Sequence, residues 1–204
     1  MPLVQAIAAS ARQLVKRNGR DRGEAMSAQE LIMDAKDIDR TITRMTHRIL
    51  EIHKGATGLT LIGIQTRGVF LAKRIQDKIK SIEGTMVETG DMDITLYRDD
   101  WTRISHHPVV QATDILFSVD EREIILVDDV LFTGRTTRAA MDAIMDFGRP
   151  ARIELAVLVD RGHRELPIQA EYVGRFIETR RSETINVFLQ EHDAEDKVLI
   201  ARKA

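Results

Sequence analysis

An α/β fold built on a mostly parallel sheet is what this 204-residue chain predicts. Three observations carry the expectation. Short apolar runs bounded by polar turns alternate with segments of 3.6-residue periodicity, the pattern of βαβ units. Hydrophobic residues make up 43% and charged residues 30%, a balance that suits a chain folding around its own core. Three polar segments, QTRG, DDVLFTGRTT and VDRG, each follow one of the apolar runs. In parallel sheets, ligands bind beyond the carboxyl ends of the strands, so these segments are expected to converge on one rim.

The elements follow in order. Residues 1–28 are expected to be a poorly ordered extension ahead of a domain over 29–204. Leu3, Val4, Ile7, Ala11, Leu14 and Val15 recur at helical spacing there, with Arg12, Lys16 and Arg17 interspersed. No continuous apolar core makes them a secretory signal. A partner or membrane-surface helix, or a start at Met26, are the alternatives. LIMD (31–34) reads as a short strand or lead-in, and Asp34 as the N-cap of a helix over 34–53. Ile38, Ile42, Met45, Ile49 and Ile52 share one face of that helix. LTLIGI is a buried strand, and a helix is expected from about 69 to 80. DMDITLY (91–97) alternates and predicts a half-exposed strand. A long, turn-rich loop follows over 98–122. EIILV is the next strand, and its helix spans about 135–147, ending at Gly148. RIELAVLVD and ETINVFLQ are further strands, with RGHRELP a loop.

Bulk charge and composition exclude several functions. The net charge of -2 provides no global field for nucleic acid, so any such site must be a local patch. The absence of cysteine excludes disulfides and thiolate catalysis, and fits a reducing cytoplasm. No apolar stretch approaches the roughly 20 residues that span a bilayer.

The chemistry concentrates after EIILV. Thr133, Gly134, Arg135, Thr136 and Thr137 form a turn that opens a helix. Inward amides, hydroxyls and the helix N-terminus make a cradle for a phosphate monoester. Asp128 and Asp129 would repel that phosphate. Placed one ribose-length away, they can accept from vicinal hydroxyls or hold Mg2+ directly or through water. Together these groups describe a site for a sugar 5-phosphate. A Walker B strand is the alternative, but no Gly-Lys dipeptide exists to supply its partner loop. A simple N-capping role for the acids is the other alternative.

IILVDDVLFTGRT strongly resembles the phosphoribosyl-pyrophosphate (PRPP) motif of type I phosphoribosyltransferases. GIQTRGVFLAKRI, DITLYRDD and AVLVDRGHRELPI extend the resemblance to the PyrR family. Its members are pyrimidine operon attenuation regulators that are also uracil phosphoribosyltransferases. The resemblance spans roughly residues 30–200 and implies the type I fold, with a small hood beside the sheet. It implies that Asp128 and Asp129 bind the ribose hydroxyls and that Thr133 to Thr137 bind the 5-phosphate. Val130, Leu131 and Phe132 lie between them in the same substrate site. Thr66, Arg67 and Gly68 would form the pyrophosphate loop. Arg98 would open a flexible loop that closes over the site. Leu158, Val159, Asp160 and Arg161 would lie in the hood that meets the base.

The implied reaction joins uracil to PRPP, giving UMP and pyrophosphate. Arg67, Arg98 and Mg2+ carried by PRPP would stabilise the leaving group. Alternatively, Arg98 pairs with Asp99 or Asp100, and Arg67 braces the next helix. Purine-salvage relatives carry a carboxylate at the position of Phe132. Its absence argues against hypoxanthine or guanine. The Phe132 ring is free to pack against a pyrimidine, a neighbouring chain or the core. Gln65 stands where many relatives are basic.

A leader mRNA hairpin is the second partner that the resemblance implies, bound with the help of uridine nucleotides. Arg40, Thr43, Arg44 and His47 lie opposite the core on the first helix, and His163 and Arg164 lie in the RGHR loop. This mix suits phosphate and loop-base contacts. A merely solvated face is the alternative, with Glu51 diluting the patch and Gln169 replacing an arginine of relatives. A homodimer or larger assembly is also expected.

Overall fold

The computed structural model describes residues 28–95, 97 and 113–202. The expected N-terminal extension up to residue 27, Arg98 and Trp101 lie outside them. The elements run β1 (Ala28–Met33), α1 (Ala35–His53), β2 (Leu59–Ile64), α2 (Arg67–Glu83), β3 (Glu88–Met92), β4 (Glu123–Leu131), α3 (Arg135–Phe147), β5 (Arg152–Asp160), β6 (Tyr172–Phe176), β7 (Thr184–Phe188), α4 (Gln190–Asp193) and β8 (Lys197–Arg202).

Five strands form a parallel sheet in the order β3-β2-β4-β5-β6. Its faces are sorted by the period-2 alternation of strand side chains. Ile125 and Val127 point into one core with Ile38, Ile42, Ile49, Leu71, Ile75 and Ile79 of α1 and α2. Ile124 and Leu126 point into the other, against Ala139, Ala140, Ala143 and Ile144 of α3. A second sheet, β1-β8-β7, is antiparallel. Its Met33, Ile185, Val187, Val198 and Ile200 join the first core, so this small sheet is the hood.

α1 begins where its sequence dictates. The Asp34 carboxylate accepts from Asp37 N–H at 2.8 Å, and the Asp37 carboxylate accepts from Asp34 N–H at 3.2 Å. This reciprocal box satisfies the first orphan donors of the helix.

One strand lies elsewhere than its alternation suggested. The expected strand over 91–97 is β3, Glu88–Met92, in register with β2 from Thr60↔Glu88 to Ile64↔Met92. The chain turns directly after Met92. Asp93 accepts from the Thr95 amide at 2.8 Å and its hydroxyl at 2.5 Å, and Tyr97 N–H donates to Ile94 C=O. An aspartate that bonds its own backbone two residues on ends a strand whatever the apolar alternation.

Candidate active site

The carboxyl ends of β2, β4 and β5 carry the three segments expected to converge. Two helices start at this rim. α3 has Gly134 as its N-cap, at φ 90°, with no side-chain cap, and α2 has Thr66 as N-cap, again with no side-chain cap. In contrast to the closed box on α1, neither N-cap side chain accepts from its helix, and on α3 the Arg135 N–H reaches the Thr133 hydroxyl at 3.4 Å. The turn over residues 130–137 lines a concavity of about 240 Å3. A larger hollow of about 360 Å3 borders it at Thr137, where Glu154 and Glu171 stand with Arg152 and Gln169 beside Leu126, Met141, Ile153 and Leu155. Its two carboxylates make it the less favourable of the two for an anion.

Two close approaches shape the rim. A Cβ on Gly68 would lie 2.3 Å from Val127 C=O, so only glycine lets the first turn of α2 sit on the end of β4. At Gly134, the positive φ opposes a larger residue, and so does the Ile168 side chain, which would lie 3.3 Å from an added Cβ. Asp128 is buried and its carboxylate accepts from Asp129 N–H at 2.9 Å. Asp129 is half-buried. Burial pushes its carboxyl above the usual range, opposed by the Arg67 guanidinium.

Loop 161–168 is the wall behind the turn over residues 133–137. Thr133 C=O accepts from Glu165 N–H at 2.9 Å and Leu166 N–H at 3.2 Å. Arg135 points sideways, its Nε donating to Glu165 at 2.9 Å, and Arg181 pairs with the same carboxylate. These cations hold the Glu165 carboxyl below its ordinary range, Arg135 foremost. Arg164 staples the loop. It donates to Phe132 C=O at 2.8 Å, Gly162 C=O at 3.0 Å and Ile168 C=O at 3.1 Å, and pairs with Asp160. His163 meets Thr179 C=O at 2.7 Å. Both residues expected to face RNA from this loop therefore turn inward.

Leu158, Val159 and Asp160 are not in the hood. They end the central strand β5 and are buried, Leu158 at 1% and Val159 at 0% exposure, so the two apolar side chains face the cores rather than a base. Their uninterrupted apolar run is the signature of a parallel strand covered on both faces. Arg161 follows, itself buried. Its Nε donates to Thr179 Oγ1 and its Nη2 to Arg180 C=O. Its guanidinium stands 4.1 Å from the centre of the Phe132 ring, and burial draws its pKa below the ordinary value. The His163 ring approaches Phe132 edge-on at 5.9 Å. Phe132 thus packs within its own chain, with a cation on its face.

Thr66, Arg67 and Gly68 form the turn into α2, and the Gln65–Thr66 peptide is cis. Arg67 pairs side-on with Asp193, Nε to Oδ2 at 3.0 Å and Nη2 to Oδ1 at 2.7 Å. Asp193 raises the Arg67 pKa, with a smaller contribution from Asp129. Nothing in the local sequence singles out Asp193 or Glu165. Their partners lie 126 and 30 residues away, and no local pattern announces such pairs.

On α1, Arg40, Arg44 and His47 are exposed and Thr43 is half-exposed. Arg40 pairs with Asp37 at 2.6 Å, Thr43 bonds Asp39 C=O, and Arg44 reaches Gly174 C=O on β6. Arg175 and the 64% exposed Phe176 of β6 extend this surface. Among the described residues, no helix is long and apolar enough to cross a membrane.

Residues 29–195 match the family described as "Phosphoribosyl transferase domain". A Clostridioides difficile chain named "Bifunctional protein PyrR" is 59% identical over 169 residues, covering 83% of this chain and 96% of that one. A chain of that name from Desulfosudis oleivorans is 54% identical over 176 residues, 86% of this chain and 97% of its own. Among solved structures, a Trypanosoma cruzi hypoxanthine phosphoribosyltransferase superposes with a TM-score of 0.67 at 17% identity, covering 88% of this chain and 94% of that chain. At that identity the likeness speaks for the fold, which is the type I phosphoribosyltransferase architecture.

Proposed function

Because the chain belongs to the PyrR family of phosphoribosyltransferases, we propose that it transfers the phosphoribosyl group of PRPP to uracil and regulates pyrimidine operon expression through leader mRNA. One observation carries the enzymatic reading. Two adjacent carboxylates lie near the carboxyl end of β4, and α3 opens a few residues further on with no acceptor side chain at its N-cap.

Residues 133–137 hold the phosphate with main-chain N–H groups and hydroxyls. Asp128 and Asp129 accept from the ribose 2- and 3-hydroxyls. The bond from C1 to pyrophosphate breaks, a uracil ring nitrogen forms the new bond to C1, and the proton that nitrogen carried passes to the departing pyrophosphate through solvent. Positive charge gathers on the ribose ring, where the two carboxylates favour it, and negative charge gathers on the departing pyrophosphate. Arg67, with Arg98, offsets the latter. Mg2+ bound to PRPP supplies further neutralisation of the leaving group. Asp128 and Asp129, two adjacent carboxylates, would be the residues to hold such an ion.

Purified protein given uracil, PRPP and Mg2+ should form UMP and pyrophosphate. Turnover of orotate or hypoxanthine with none of uracil would reassign the substrate.

The regulatory reading rests on the exposed Arg40, Arg44 and His47, with Arg175 and Phe176 beside them. A pyrimidine-operon leader hairpin should bind in the presence of UMP, with affinity falling steeply as salt rises. Binding no tighter than to unrelated RNA would leave the enzyme alone. The protein acts in the cytoplasm as a homodimer or larger assembly in this reading.

A further inference from the structure

The helix that opens from the pyrophosphate loop is fastened to the hood at three points. Arg67, Phe70 and Arg74 lie at i, i+3 and i+7, one face of α2. All three meet the strap that joins β7 to β8, residues 189–196. Arg67 takes Asp193. Phe70 stacks on His192 with centroids 6.3 Å apart. Arg74 pairs with Glu191 at 2.6 Å and with Asp196 at 2.7 Å.

Asp193 is held from behind. Its Oδ2 accepts from Leu189 N–H at 2.9 Å, its own N–H donates to Leu189 C=O at 2.7 Å, and Leu189 is fully buried. The carboxylate therefore has little rotamer freedom, and it is 13% exposed. It grips Arg67 by Nε and Nη2 alone, which leaves the Nη1 edge of the guanidinium for another anion. The Arg67 charge also acts on Asp129, the proposed reader of the ribose, opposing the rise of its carboxyl pKa.

We infer that Asp193 is the positioning residue for Arg67: it anchors the guanidinium at the pyrophosphate loop and keeps it from collapsing onto Asp129. This rests on the reading of that loop as the pyrophosphate site. Without Asp193, Arg67 turns to Asp129, so a cation leaves the leaving group and an acid is lost to the ribose.

The test is steady-state kinetics of UMP formation on the full chain. Asp193→Asn should raise KM for PRPP about tenfold, about 1.4 kcal/mol, and leave KM for uracil within about twofold. In an Arg67→Ala background the same change should add nothing, because Asp193 acts only through Arg67. Arg74→Gln is the control for loosening: it breaks two neighbouring ion pairs on the strap without touching Arg67, and should leave KM for PRPP unchanged. Additive effects of Asp193→Asn and Arg67→Ala, or an equal rise in KM from Arg74→Gln, would overturn the inference. A wild-type chain that makes no UMP would overturn the functional reading instead, so the two failures are separable.

Discussion

The two ends of the parallel sheet treat their polar groups in opposite ways. At the amino end, four side chains from α1, β4, β5 and β6 turn on one another. His53, its side chain 3% exposed, meets Glu123 through Nδ1 at 2.8 Å and Glu154 through Nε2 at 2.7 Å. Tyr172 donates to the same Glu154 oxygen at 2.8 Å. At the carboxyl end, α2 and α3 begin without side-chain caps, and two carboxylates stand beside them. Buried polar groups are normally paired within the chain. The amino end follows that rule in this cluster, which stabilises the fold, while the buried Thr60 hydroxyl near the start of β2 has no hydrogen-bond partner among the described residues. In the proposed function the carboxyl end offers helix amides to a ligand, and burial raises the pKa of Asp129. The proposed division places stability at one rim and chemistry at the other.

Substitutions should separate the rims. The largest effect is expected at the amino end. His53→Leu removes one of the partners of the buried Glu154 carboxylate, leaving Arg152 and Tyr172, and should lower unfolding free energy by about 2 kcal/mol, measured by urea denaturation, while both KM values hold. A kinetic defect with normal stability would erase the distinction. At the carboxyl end, Asp129→Asn should cut UMP formation at least about tenfold, roughly 1.4 kcal/mol of transition-state stabilisation. Its thermal midpoint should not fall. A carboxyl whose folded pKa is raised costs stability when ionised above that pKa, and the amide escapes this cost. An unchanged rate would move the site elsewhere.

Tyr172→Phe returns to the amino end with a smaller loss. It removes one donor to Glu154 and should cost about 1 kcal/mol, with catalysis intact. A stability change within error would show the hydroxyl to be idle. Acid gives the subtlest contrast. Arg67 holds Asp193, and Arg74 holds Glu191, below their ordinary pKa values. Depressed carboxylates add stability above their unfolded pKa and lose it as pH falls through the folded value. Arg74→Gln should therefore move the acid unfolding midpoint, followed by circular dichroism, upward by about 0.3 pH units. No movement would mean the strap pairs contribute nothing.

Much of the fold was legible in the chain because most of it is written in local periodicity. β2, α3 and β5 coincide with their expected spans, since continuous apolar runs and a glycine stop need no tertiary information. β6 and β8 went unread. β6 is a five-residue edge strand broken by Gly174 and Arg175, and its pattern resembles a loop. β8 acquires its role only by pairing with both β1 and β7. At the site, the sequence supplied residue types but not directions. Arg164 reads as a surface cation and is an internal staple, because three carbonyls and Asp160 surround it once the loop folds back. Arg67 and Asp193 meet only through the strap, a relation that spacing along the chain cannot express.

The most direct measurement is a crystal structure of this chain with UMP. The phosphate should lie within about 3 Å of the amides and hydroxyls of residues 133–137, with the ribose hydroxyls on Asp128 and Asp129. A nucleotide whose phosphate and sugar lay away from the end of β4 would contradict the account.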